Sequence, residues 1–131
     1  SPAAPNSTGA PASITAQGAP AIAVDGSTRL NVSGIPLGSV GYVLASRTQG
    51  LSMPAQSQGA FCLSGNIARF SRAELLLSGP VDAVAFDHAA IPGLAQTAIQ
   101  PGETWNYQCW YRDANPTATS NFTDAVSVIY L

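Results

Sequence analysis

The chain has 131 residues, a length that fits one domain, and its 46% hydrophobic content can supply a core, yet Asp, Glu, Lys and Arg together reach only 9% against about 25% in an average soluble protein. Lysine is absent, and five arginines (Arg29, Arg47, Arg69, Arg72 and Arg112) against seven acids leave a net charge of −2, so no basic cluster exists to release counterions from a nucleic acid or to hold anionic lipid. Nucleic-acid binding is excluded on that ground, no run approaches the ~18 consecutive apolar residues of a membrane helix, and the lack of lysine rules out a Schiff base, a P-loop and a lysine–asparagine crosslink.

Residues 1–20, SPAAPNSTGAPASITAQGAP, carry Pro2, Pro5, Pro11 and Pro20 among Ala, Ser, Thr and Gly with no hydrophobic period, and read as an extended tail or linker. Ser1-Pro2-Ala3-Ala4-Pro5 reads as the mature end of an exported chain or a cut from a longer precursor, which places the domain outside the cytoplasm, secreted or at the cell surface. Such a stretch cannot order itself by burying a core of its own. It is expected to lie on its own sandwich or on a neighbouring molecule, with Ile14, Ala21, Ile22 and Val24 adding to a sheet edge.

From residue 21 onward the pattern is that of strands in a single domain, 21–131. Ala21 to Val24 stops at Asp25-Gly26, and Leu30 and Val32 alternate with Arg29, Asn31 and Ser33 before Gly34 to Gly38 breaks the run. Val40, Tyr42 and Leu44 share one face and Gly41, Val43 and Ala45 the other; both faces are largely apolar, the mark of a central strand. Residues 47–60 read as loop, Phe61-Cys62-Leu63 and Ile67 to Phe70 as short strands. Ala73 to Leu77 has helix-favouring residues between Ser71 and Gly79-Pro80, but is short enough to be a strand or a single turn. Val81 to His88 is a strand, Ala98 to Gln100 leads into a Pro101-Gly102 turn, Thr104 to Arg112 is the most aromatic strand, and Ala125 to Leu131 closes the chain. Period 2 with turn signals between about eight or nine short runs predicts an all-β, antiparallel sandwich or barrel.

Within Thr104 to Arg112, Trp105, Tyr107, Cys109 and Tyr111 face one way, and Asn106, Gln108, Trp110 and Arg112 the other. Cys62 and Cys109, 47 positions apart, fit no redox or zinc spacing. In an exported β domain they read as one core disulfide, or else as two buried thiols behaving as small hydrophobes. The Pro-Gly turn, the aromatic strand and the Ser120-Asn121 step into the last strand resemble the closing hairpin of fibronectin type III and other immunoglobulin-like sandwiches. Val32 to Gly41, Ala45 to Gly50, Cys62 to Phe70 and Pro101 to Ile129 are closer still to a C-terminal domain of large exported proteins from planctomycete-like and some marine bacteria. That resemblance, over residues 20–131, implies export, a β-sandwich, and an accessory or assembly role with no catalytic residues to carry over.

Reaction chemistry finds little support. His88 is the one histidine; with no G-x-S-x-G elbow it reads as a surface or strand-edge residue, not a base. Asp25, Glu74, Asp82, Asp87, Glu103, Asp113 and Asp124 stand mostly at turns and strand ends, not as a recognisable glycosidase pair. No cofactor is called for and transition-metal ligands are lacking. Asp113, Asn115, Asn121 and Asp124 gather oxygen atoms suited to calcium, although Asn and Asp are also ordinary loop formers. Asn6-Ser7-Thr8, Asn31-Val32-Ser33 and Asn121-Phe122-Thr123 match the glycosylation sequon. The expectation is a non-catalytic structural or assembly protein whose partner is another protein subunit, itself or a larger extracellular assembly. The alternative is a carbohydrate-binding module stacking sugars on Trp105, Trp110 and Tyr111, if these aromatics are not buried in the sandwich.

Overall fold

The computed structural model describes residues 3–17, 27–36, 39–70, 76–77, 81–87 and 99–131. Among them are ten strands and no helix: β1 (Ser13–Gln17), β2 (Ser27–Ser33), β3 (Val40–Ser46), β4 (Thr48–Ser52), β5 (Phe61–Ser64), β6 (Ala68–Phe70), β7 (Leu76–Leu77), β8 (Val81–Asp87), β9 (Thr104–Ala114) and β10 (Ala118–Ile129). Every pairing is antiparallel. One sheet runs β1-β2-β8, the other β10-β9-β3-β6 with β7 also on β3, and β4-β5 form a separate hairpin. The expected strand at 21–24 and the residues from 88 to 98, His88 among them, lie outside the described residues.

The two larger sheets face each other because their strands alternate. Trp105, Tyr107, Cys109 and Tyr111 point inward from β9 and meet Ile14 of β1, Leu30 and Val32 of β2, and Val43 and Ala45 of β3. Val126 and Val128 pack against the same core from β10. Each large apolar side chain taken out of water contributes roughly 1.5–3 kcal/mol, and the inner face of β9 holds three aromatics that are at most 2% exposed. Their polar tips require partners in that dry layer. Tyr107 and Tyr130 share a buried hydroxyl–hydroxyl bond of 2.8 Å.

The outer face of β3, β9 and β10 is apolar for a different reason: the β4-β5 hairpin covers it. Leu63 packs on Leu44 and Phe122, with Phe61 and Ile67 beside them, and the Phe61 and Phe122 rings stack 5.3 Å apart. Gln108, fully buried, ties the layers together. Its Oε1 accepts from the Cys62 amide at 2.9 Å, and its Nε2 donates to the carbonyls of Ala60 (2.9 Å) and Thr123 (2.8 Å). Residues 48–52, read from the sequence as loop, are therefore a strand of this cover. Leu76–Leu77 is a strand on β3, one of the two readings given above.

The same layering overturns the expected disulfide. Cys109 points into the inner core, while Cys62 belongs to the covering hairpin on the opposite side of the sheet and lines a hollow with Gln49, Leu51, Asn106 and Ser127. Both thiols are buried and their sulfurs are not at bonding distance from each other. Alternation along β9 makes the separation unavoidable: Gln108 faces Cys62, so its neighbour Cys109 must face away.

Candidate functional site

Among the described residues, chemically capable side chains concentrate at two places, both built by the β9-β10 hairpin. The first is a polar seat for residues 3–17. The β10 ladder slips between Phe122 and Ala125, so Thr123 and Asp124 stand opposite Cys109 alone, a two-against-one bulge. The Cys109 amide is satisfied by the Thr123 hydroxyl (2.9 Å). Asp124 is re-aimed at β1, where its Oδ1 accepts from the Ile14 amide (2.9 Å). Upstream, the amide nitrogen of Asn121 donates to the carbonyls of Ala4 (3.3 Å) and Pro5 (3.2 Å). Asp113 accepts from the Ser7 amide at Oδ2 (2.9 Å) and from Ala114 at Oδ1 (2.8 Å).

The segment answers with a plug of its own. Asn6 is 2% exposed; its Nδ2 donates to the Gly34 carbonyl (2.8 Å) and the Tyr111 hydroxyl (3.0 Å), while its Oδ1 accepts from Thr8. Gly9, at φ +89°, closes the small turn that brings Pro5 opposite Pro11, a backbone region favouring glycine. Ala12 and Ile14 then enter the core, and β1 pairs with β2 from Ser13↔Ser33 to Gln17↔Arg29. Burial pushes the Tyr111 phenol up to about 12; the bond from Asn6 opposes the rise, and Asp113 and Cys109 add to it. Burial likewise drives Tyr107 far above the ordinary phenol range, with Tyr130 reinforcing it.

The second place is an open groove of about 740 Å³ on the outer face, between residues 54–58 and the tip of the hairpin. Register sets Tyr42, Trp110 and Phe122 side by side across β3, β9 and β10. Phe122 is buried under Phe61, but Tyr42 and Trp110 remain partly exposed at the margin of the cover. Their rings lie 5.0 Å apart, tilted by 38°, and the Arg112 guanidinium sits 5.6 Å from the centre of the Trp110 ring, within cation–π range. The far wall is locked by Gln58: its amide nitrogen donates to the Asn115 carbonyl (3.0 Å), its Oε1 accepts from the Asn115 side chain (3.3 Å), and its backbone amide donates to Ser120 (2.9 Å).

No protein-family model, curated protein or solved structure matches this chain. The geometry alone therefore assigns roles. Of the three aromatics expected to stack sugars, Trp105 and Tyr111 are buried, at 2% and 0% exposure, and are unavailable; Trp110, on the other face of β9, is the one that reaches solvent. Of the four candidate calcium ligands, Asp113, Asn121 and Asp124 hold the N-terminal segment, and Asn115 pairs with Gln58. Among the described residues no three of His, Cys, Asp and Glu gather as a metal site. Two sequon asparagines, Asn6 and Asn121, are buried with their amide nitrogens engaged. Ile14 of the expected assembly tail is built into its own sheet, while Ala21, Ile22 and Val24 lie outside the described residues. No described helix is long and apolar enough to cross a membrane. Sequence reasoning missed the pairing of Asp113, Asn121 and Asp124 with residues 4–14; their polarity at the end of an aromatic hairpin was the available signal.

Proposed function

We propose that this chain is a non-catalytic structural module of an extracytoplasmic assembly, an immunoglobulin-like sandwich completed by its N-terminal segment. That segment is supplied by its own chain or exchanged with a neighbouring copy. The antiparallel order β1-β2-β8 facing β10-β9-β3-β6 is compatible with an immunoglobulin-like sandwich, and the resemblance of Pro101 to Ile129 to domains of exported bacterial proteins supports the same setting. The seat carries the reading: Asp113, Asn121 and Asp124 all grip main-chain groups of residues 4–14, so the socket recognises the backbone of this segment, the turn before β1 as well as β1 itself. This is the logic of strand addition. Deleting residues 1–17 tests it. The shortened chain loses roughly 2–4 kcal/mol, from the burial of Ala12 and Ile14 and the lost hydrogen bonds, and a synthetic peptide of residues 3–17 restores it in trans. A shortened chain as stable as the parent, or one indifferent to the peptide, refutes the proposal.

The Trp110 groove favours a second reading, a carbohydrate-binding accessory module. A partly exposed aromatic beside primary amides is suited to stacking and hydrogen bonding a sugar ring. Glycan titrations followed by tryptophan fluorescence test it directly, because Trp105 is buried and a change reports on Trp110. Silence across a broad panel removes this reading.

A further inference from the structure

Resting on the carbohydrate reading, we infer that the groove selects an acidic glycan, with a sugar ring packed against the exposed part of Trp110 and its carboxylate held by Arg112. Among the described residues that line the groove, one side chain is charged, Arg112, and none is an acid. Among the described residues the ion pair is Arg47–Glu103, and no described carboxylate pairs with Arg112. Its neighbour in sequence, Asp113, does not neutralise it, because alternation turns that carboxylate to the other face, onto Ser7. The guanidinium is also placed rather than roaming: it rests against Trp110, which is itself braced by Tyr42.

Three complementary surfaces thus adjoin. Trp110 offers an apolar ring, Arg112 a planar fork matching a carboxylate with two parallel hydrogen bonds, and Gln56, Gln58, Asn115 and Thr119 amide and hydroxyl groups along the groove. The Gln58–Asn115 lock holds the far wall in place before a ligand arrives, which lowers the ordering cost of binding. Together, ring, fork and amides fit a uronic acid within a polysaccharide. A uronic acid carries the ring and the carboxylate in one residue, whereas an aspartate or glutamate side chain supplies the carboxylate alone.

Calorimetric titration of the full chain with oligomers of galacturonate, glucuronate and mannuronate, and with their methyl esters, separates this inference from the reading beneath it. At least one oligouronate is expected to bind tenfold or more tightly than its own ester, in keeping with a charge-assisted pair. Arg112→Gln, at an exposed position, erases that difference, Arg112→Lys restores part of it, and Trp110→Ala weakens acid and ester alike. Melting curves of each variant verify that it is folded. Equal binding of acid and ester overturns the acidic selectivity and leaves the carbohydrate reading standing. Silence toward all acids and esters overturns the acidic inference, and the carbohydrate reading falls with it only if the broad glycan panel is silent too. A sulphated oligosaccharide binding as tightly as the best uronate overturns the carboxylate assignment, and oligoglutamate doing so overturns the assignment to a glycan.

Discussion

Replacing Gln108 by leucine should be among the most damaging single changes in the protein. The substitution keeps the volume of a buried, fully covered position and removes only polar atoms. It strands three main-chain groups: the Cys62 N–H, the Ala60 carbonyl and the Thr123 carbonyl. A buried polar group without a partner costs about 1–3 kcal/mol. Ala60 is partly exposed and can recruit water, so the sum is roughly 3–5 kcal/mol, a large share of the 5–15 kcal/mol typical of a domain. Urea unfolding followed by tryptophan fluorescence measures it, and hydrogen exchange at the Cys62 amide localises it. Gln108→Glu sharpens the test. That side chain loses both donors and sets a carboxylate against two carbonyls in a dry layer, so its folded-state pKa rises. Stability tied to the protonated form is present at low pH and lost as pH climbs through the raised pKa, and the Gln108→Glu deficit is therefore larger at pH 8 than at pH 4. A leucine variant within 1 kcal/mol of the parent would refute the role given to this residue.

Alkaline unfolding should follow the tyrosines. Tyr111 titrates near 12 when folded and near 10 when unfolded, so the stability it contributes is intact below about pH 10 and falls by about 1.4 kcal/mol per unit as pH rises toward 12. Tyr107 adds to that slope, and Tyr107→Phe should flatten it in pH-dependent denaturant titrations. Gly41→Ala should destabilise by roughly 1–3 kcal/mol in thermal melts, because a Cβ there meets the Trp110 carbonyl at 2.5 Å and Tyr111 at 2.8 Å; a neutral effect would contradict the close approach of β3 to β9. Arg47→Ala should cost under about 0.5 kcal/mol, since its bridge to Glu103 is solvated. Glu103→Ala should cost about 1–2 kcal/mol, since that carboxylate also accepts from the Gln100 amide and the Trp105 indole.

The β9-β10 hairpin was legible because alternation is a local property. Trp105, Tyr107, Cys109 and Tyr111 sit inside, and Asn106, Gln108 and Trp110 outside, as period 2 requires. The Leu30 and Val32 alternation and the two-faced apolar pattern of β3 were legible for the same reason. What local pattern cannot carry is which side of a sheet a covering element takes. Cys62 and Cys109 both lie in apolar strands, yet the β4-β5 hairpin crosses the outer face and the inner thiol is turned from it. β4 itself was hidden because Thr48-Gln49-Gly50-Leu51-Ser52 has the composition of a loop. Its order comes from hydroxyl bonds, Thr48 and Ser46 to the Ser64 carbonyl and Ser64 to the Gln49 carbonyl (2.8 Å). The N-terminal stretch resembled a linker because its anchors, Tyr111, Asp113, Asn121 and Asp124, lie about a hundred residues downstream.

Hydrogen exchange read residue by residue at the amides of Ser7 and Ile14 tests the completed sandwich most directly. If residues 3–17 are an integral segment gripped by Asp113 and Asp124, these two amides are protected nearly as well as those of β9 and lose that protection together in Asp113→Ala and Asp124→Ala variants. Exchange at the rate of an unstructured peptide, with β9 still protected, would show a body that stands without its first strand.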